Sequence, residues 1–163
     1  VEILEEGDFM PFVEQSIIIE APMTLVMKAL NDVAAIPEWA TVSGTIDNIQ
    51  GTGPGMTYEW HYNINSLSFG GKSEVVEQTE TTLITKTTGD IDSIWTVNLT
   101  PVGKKITVLR VVVEYSPPNI FMEILADIVL QQLNDPEVAK ENMTRFKEAV
   151  EERARVIEEQ IIG

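Results

Sequence analysis

The feature that most constrains this chain is a change of period. From residue 42 to 116 the sequence runs as a succession of short alternating segments, and one long amphipathic stretch, 137–161, then remains to cover what they expose. The clearest segment is 56–63. Met56, Tyr58, Trp60 and Tyr62 fall on one side of it, and Thr57, Glu59, His61 and Asn63 on the other, because successive side chains of a strand point to opposite faces. Segments 42–50, 68–79, 82–88, 93–100 and 105–115 read as further strands. Trp95, Val97 and Leu99 share one side, as do Thr107, Leu109, Val111, Val113 and Tyr115. Gly51 to Gly55 and Val102-Gly103-Lys104 have turn chemistry, and Gly70-Gly71 marks a bend or bulge within 68–79. Strands joined in succession by short turns form an antiparallel meander.

Such a sheet has one apolar face to bury. The last helix places Ala139, Met143, Phe146, Val150, Ala154 and Ile157 along one stripe and Glu, Lys and Arg along the other, the pattern of a helix that packs on a core. Asp135 is placed to cap it, and Pro136 suits its first position. Ahead of the sheet, 14–20 reads as a strand. Pro22 fits the first turn of a helix over 23–32, which carries Leu25, Val26, Ala29 and Leu30 on one face. Residues 33–39 form a second short helical piece ending at Trp39. After the sheet, Pro117-Pro118 stops the last strand and an apolar helix is expected over 119–133, with Phe121, Leu125, Ile128, Val129 and Gln132 at helical spacing. The order predicts an α+β fold: a curved antiparallel sheet of six or seven strands around a long C-terminal helix, with two short helices after the first strand.

At 163 residues the prior is one domain, spanning 14–163, with 1–13 as an N-terminal extension. No solenoid-period repeat or low-complexity segment is present. The net charge is −15, from 26 acidic and 11 basic side chains. That surface repels nucleic acid, whose phosphates demand Lys and Arg, and disfavours anionic lipid headgroups. Net charge of this size also keeps a protein soluble. There is no cysteine, so disulfides, thiol catalysis and Cys-ligated metals are excluded. No 18-residue apolar run exists to span a membrane. The acidic start lacks the basic-then-apolar layout of a signal peptide. A cytoplasmic location is expected.

Several local patterns together resemble the START-like superfamily, in particular its polyketide cyclase/dehydrase and lipid-transport branch, which shares the birch-pollen-allergen architecture. Ile17-Ile18-Ile19-Glu20-Ala21-Pro22 followed by Val26 through Asp32 is similar to its opening strand and helix. Ile36-Pro37-Glu38-Trp39 is similar to its Pro-x-Trp element. Gly53 to Trp60 resembles its Gly-rich turn running into an aromatic strand. Trp95 to Gly103 resembles its late hairpin, and Val113 to Pro118 its exit from the sheet. The resemblance covers about 14–160 and implies a helix-grip fold with an internal pocket. It does not by itself imply a reaction. Residues 1–13 have no counterpart in it; a short extra strand, an extension over the pocket and a disordered tail all remain open.

The aromatic set Trp39, Tyr58, Trp60, Tyr62, Phe69, Trp95 and Phe121 suits a pocket for amphipathic ligands, because Tyr and Trp join a broad apolar surface to one polar tip. Val97, Leu109, Val111, Val113, Leu125, Met143, Phe146 and Val150 complete the expected wall. Each of these residues fits plain core filling equally well, and a one-residue slip would invert inside and outside; Gly70-Gly71 makes that a live question for 68–79. His61 is the only histidine. Glu59 on the same strand face is positioned to orient it as a general base, with Tyr62 as a further proton-bearing group. The alternation instead puts His61 and Glu59 on an exposed polar face, since Tyr58, Trp60 and Tyr62 make the better inward set. Arg110 likewise reads as outward-facing, paired with a neighbouring strand. Asp90/Asp92 and Glu151/Glu152 lack metal-ligand spacing and read as a loop and a solvated helix face. No Walker loop, HExxH, GxSxG or dinucleotide fingerprint is present, and no cofactor or metal is expected. The sequence therefore predicts a binding or carrier protein for a small hydrophobic molecule such as a lipid, sterol or polyketide-like compound. The alternatives are an aromatase/cyclase or dehydratase-type enzyme using the same pocket, and a non-enzymatic protein-interaction module. Oligomeric state is open.

Overall fold

The computed structural model describes residues 12–40, 43–64, 66–115 and 135–162. Strand β1 (Phe12–Ile19) leads into helix α1 (Met23–Asn31), a 3-10 turn (Val33–Ala35) and helix α2 (Ile36–Trp39). Six strands follow: β2 (Ser43–Gln50), β3 (Thr57–Ile64), β4 (Leu67–Gln78), β5 (Thr82–Gly89), β6 (Ser93–Val102) and β7 (Ile106–Tyr115). Helix α3 (Pro136–Ile162) is the last element among the described residues. The strands form one antiparallel sheet in the order β1-β7-β6-β5-β4-β3-β2. β1 and β2 therefore lie at opposite edges, and α1 and α2 carry the chain from one edge to the other. The result is the expected α+β helix-grip architecture: a curved open sheet with a long C-terminal helix. The expected helix over 119–133, with Phe121 and Leu125, lies outside the described residues.

Several boundaries follow local chemistry. Asp135 Oδ1 accepts the Glu137 N–H at 3.0 Å, so Asp135 caps α3 and Pro136 takes a position where a missing N–H is harmless. Pro22 stands one residue earlier than expected, at the cap of α1, where its carbonyl accepts from Leu25 and Val26 N–H at 3.0 and 3.1 Å. β1 starts at Phe12, so two residues assigned to the N-terminal extension belong to the sheet. Gly70-Gly71 is not a bulge. Both residues keep regular register with His61 and Trp60, and the irregularity in β4 falls between Val75 and Glu77.

The concave side of the sheet is packed at one end. Ile19, Met56, Tyr58, Val75, Leu83, Val97, Leu99 and Leu109 meet Val26, Met27 and Ala29 of α1 and Phe146 and Val150 of α3 in one buried cluster. The α3 stripe ends sooner than its sequence pattern suggests. Ala154 still packs against the core, but Ile157 is 45% exposed, because the helix has outrun the sheet. α3 also closes the free edge of β1. Lys147 Nζ donates to the Ile18 carbonyl at 2.9 Å, and Glu151 Oε2 accepts the Glu20 N–H at 2.8 Å. These groups are left unpaired by an edge strand and otherwise invite a second chain. Glu151 is thus a clasp rather than part of a solvated face.

Candidate functional site

Beyond the packed cluster the same concave face changes character. Trp60, Tyr62 and Phe69 lie towards the far ends of β3 and β4, and none belongs to the buried apolar cluster. Trp60 and Tyr62 stack with centroids 5.7 Å apart and planes at 26°. Missing side chains make this possible. A Cβ on Gly44 would strike the Tyr62 ring, 2.8 Å from Cε1, and one on Gly71 would lie 2.7 Å from Trp60 Cε2. Two glycines on neighbouring strands therefore let the two rings lie low against the sheet and form a flat aromatic floor. The Trp60 side chain is buried, yet its Nε1 has no hydrogen-bond partner. An unmatched buried donor of this kind costs about 1–3 kcal/mol.

Between the apolar end and the aromatic floor runs a row of hydroxyls. Tyr58 pairs in register with Ser73, Ser73 with Thr87, and Thr87 with Ser93. Four adjacent strands thus place a hydroxyl at the same level. At ~4.8 Å between strands the row crosses about 14 Å of sheet. All four residues are buried. Ser73 Oγ and Thr87 Oγ1 are 2.8 Å apart, and Trp95 Nε1 donates to Ser93 Oγ at 3.0 Å. Burial raises the Tyr58 pKa, with a hydrogen bond from Ser73 acting in the opposite direction. Burial, with a smaller repulsion from Tyr58, pushes Tyr62 up to about 12. Both phenols are therefore neutral donors over the physiological range.

No Lys, Arg, Asp or Glu projects from the concave face of any strand among the described residues. Arg110 and Glu14 point the other way and pair across β7 and β1 at 2.7 Å. His61 and Glu59 also stand on the convex face, as the alternation indicates, and His61 is exposed, its ring beside Gly70. They do not share a site with Tyr62, so the proposed His61–Glu59–Tyr62 catalytic grouping is not assembled. Asp90 and Asp92 accept the Gly70 and Gly89 N–H groups at 2.8 and 3.1 Å and brace the β5–β6 turn. No cluster of three or more metal-ligating side chains occurs among the described residues. No helix among them is long and apolar enough to cross a membrane.

The sequence profile of the polyketide cyclase/dehydrase and lipid transport family matches residues 10–151. The chain belongs to that family. No curated protein matches its sequence. Solved structures with the same fold include the Zhui aromatase/cyclase from Streptomyces sp. R1128, with TM-score 0.68 and 12% identity over 89% of this chain and 96% of that one. A START superfamily protein from Mycobacterium smegmatis matches with TM-score 0.60 and 15% identity over 90% and 98%. Ara h 8.0201 matches with TM-score 0.61 and 14% identity over 87% and 98%. At such identities the likeness extends to the fold alone.

In this member of the polyketide cyclase/dehydrase family, the residues expected to line a pocket separate into three groups. Tyr58, Val97 and Leu109 lie in the apolar cluster with Phe146 and Val150, and Val111 and Met143 pack against it. Trp60, Tyr62, Phe69, Trp95 and Val113 occupy the more polar end, where Trp95 is 40% exposed. Trp39 stands apart, on the seam between α2 and α3. It meets Phe146 edge-on with centroids 5.3 Å apart, beside a cleft of about 80 Å³ that Arg145 and Arg153 also line. The residues missed from sequence are Ser73, Thr87 and Ser93. Small hydroxyl residues in strands look like filler, and only register shows that they form a row with Tyr58.

Proposed function

We propose that this protein binds, and serves as a carrier for, a small hydrophobic molecule held between the concave sheet face and α3. A lipid, a sterol or a polyketide-like compound fits this reading. One observation carries it: the concave face continues past the packed apolar cluster as an uncharged surface of large aromatic side chains interrupted by a few hydroxyls. Ligand sites combine an apolar wall with a small number of placed polar groups in this way. A face meant only for packing has no use for four buried hydroxyls in line.

A second reading is an aromatase/cyclase or dehydratase-type enzyme using the same space. The linked Tyr58, Ser73 and Thr87 hydroxyls favour it, together with the likeness to a protein named as an aromatase/cyclase. Against it, the described strands offer no acid or base on the concave face besides the two tyrosines, which are held protonated, and His61 lies on the other face. Native mass spectrometry of protein purified from its own source separates the readings. A co-purifying molecule recovered unchanged supports a carrier, and its conversion during incubation supports an enzyme. A protein that arrives empty and ignores fatty acids, sterols and aromatic polyketides alike removes both.

A further inference from the structure

The cleft beside Trp39 is built by the helical segments alone. α1, the 3-10 turn, α2 and α3 supply every residue that lines it, and no strand contributes. It is therefore distinct from the concave sheet face. We propose that it is a second binding site, for a small zwitterion: an α-amino acid with a short aliphatic side chain, such as valine.

The size of the cleft sets the size of that side chain. Ala29 of α1, Ala35 of the 3-10 turn and Ala149 of α3 each present one methyl group to it, and the Trp39 and Phe146 rings complete an apolar wall. About 80 Å³ stays open between them, although protein interiors leave few voids larger than a water molecule. An apolar cavity of about 150 Å³ is known to accept benzene. The space here suits a short branched aliphatic group and is too small for an aromatic ring.

The rim sets the charges. Arg145 and Arg153 also line the cleft, one helical turn before and one after Ala149, ~6 Å away along the axis in each direction. Both guanidinium groups thus flank the space above one methyl group. Arg145 is steadied by Glu141 at 2.8 Å and Arg153 by Asp32 at 3.3 Å. A guanidinium carries five N–H donors, so each keeps donors for an incoming carboxylate. Glu38 of α2 lines the same cleft, and among the described residues no ion pair or hydrogen bond engages its side chain. A simple anion would meet Glu38, and a simple cation would meet the two arginines. A molecule that carries one charge of each sign satisfies both. Its ammonium faces Glu38, its carboxylate takes the spare arginine donors, and its side chain fills the floor of alanines.

Isothermal titration calorimetry of the full chain tests this with four probes. Isovalerate has the outline of valine without the ammonium, and isobutylamine has it without the carboxylate. Phenylalanine keeps both charges on a larger side chain. Valine should bind at least tenfold more tightly than each of the other three, since one charged hydrogen bond is worth about that factor or more. In Glu38→Gln the valine affinity should fall about tenfold, to the level of isovalerate, while isovalerate itself loses nothing. Arg145→Met should weaken valine and isovalerate alike. Ala149→Leu fills the cleft and should abolish valine binding, with circular dichroism showing that each variant is folded. Should Ala149→Leu fail to fold, the exposed Glu38→Gln and Arg145→Met variants decide alone. Failure of valine to bind overturns the proposal. Equal binding of valine and isovalerate, or a preference for valine that survives Glu38→Gln, overturns it as well. None of these results touches the reading of the concave face, which uses other residues.

Discussion

Gly71 and Gly70 are adjacent in sequence, yet replacing each by alanine should have opposite results. At Gly71 the new methyl would sit 2.7 Å from Trp60 Cε2, closer still to Cζ2, and closer still to the Thr88 carbonyl oxygen. Carbon contacts rest near ~3.5–4.0 Å, so both neighbours are overlapped at once. The carbonyl belongs to β5, which is tied to β4 by the ladder and cannot withdraw alone. If the indole leaves instead, about 150–250 Å² of aromatic surface returns to water, worth roughly 4–6 kcal/mol. Local overpacking without that loss costs typically 1–3 kcal/mol, and two simultaneous overlaps place Gly71→Ala near the upper end, at about 3 kcal/mol. With a urea m-value of about 2 kcal/mol/M, the midpoint should fall by about 1.5 M. At Gly70 the nearest atom is His61 Nδ1 at 3.0 Å, the tip of an exposed side chain that can turn away. There the reduced freedom of the unfolded chain offsets the contact, and Gly70→Ala should stay within about 0.5 kcal/mol of wild type. Urea unfolding followed by tryptophan fluorescence and by far-ultraviolet circular dichroism measures both variants. Equal midpoints for the two variants would refute the claim that Gly71 exists to seat Trp60.

Two pH dependences follow from the buried groups. Tyr62 is raised to about 12 and Tyr58 is raised as well, so above pH ~10 the unfolded chain loses protons that the native state keeps. This contribution to stability should be complete below pH ~10 and decline as pH rises towards 12; a stability curve flat from pH 9 to 12, or Tyr62 ionising near 10 in an ultraviolet titration against Tyr62→Phe, would contradict it. Glu151 has the opposite sign. Burial disfavours its charge, but hydrogen bonds from Lys147 and the Glu20 N–H, with the charges of Lys147 and Arg155, outweigh burial and hold its carboxyl below the usual range. Its contribution should be present above pH ~4.5 and lost as pH falls further. Glu151→Gln should therefore cost about 1 kcal/mol at neutral pH and flatten the acid limb of the stability curve, and an unchanged acid limb would show that the clasp on β1 contributes nothing.

The fold was legible because its signals are periodic. Alternation over 56–63 placed Tyr58, Trp60 and Tyr62 inward and His61 outward, and the same parity oriented Leu109 and Arg110 correctly on β7. The helical stripe of α3 was legible for the same reason as far as Ala154. It failed at Ile157 because a repeat does not record where its partner surface stops. Pairing across strands was harder. Gly70-Gly71 carries the composition of a bulge, while the bulge actually falls at Val76, in an unremarkable Val-Val-Glu run. Glycines that clear space for an aromatic ring and glycines that kink a strand look alike in sequence, because what distinguishes them is the residue on the next strand.

The same limit hid the polar part of the candidate site. Tyr58, Ser73, Thr87 and Ser93 are spread over 36 positions of the chain, and nothing local marks any of the last three. They become one feature only when three successive hairpins close in register. A shift of one residue in any of them would turn part of the row to the convex face, and a slip of β4 or β5 would bring a charged residue inward in its place, for Glu74 and Lys86 stand next to Ser73 and Thr87. The register is held from both sides of the row. On one side the apolar cluster of Val75, Leu83, Val97 and Leu109 admits no slip without exposing its members. On the other, Trp60 fits only over Gly71. The structural residues therefore act on the site indirectly: they keep four ordinary hydroxyls in one line on an uncharged wall.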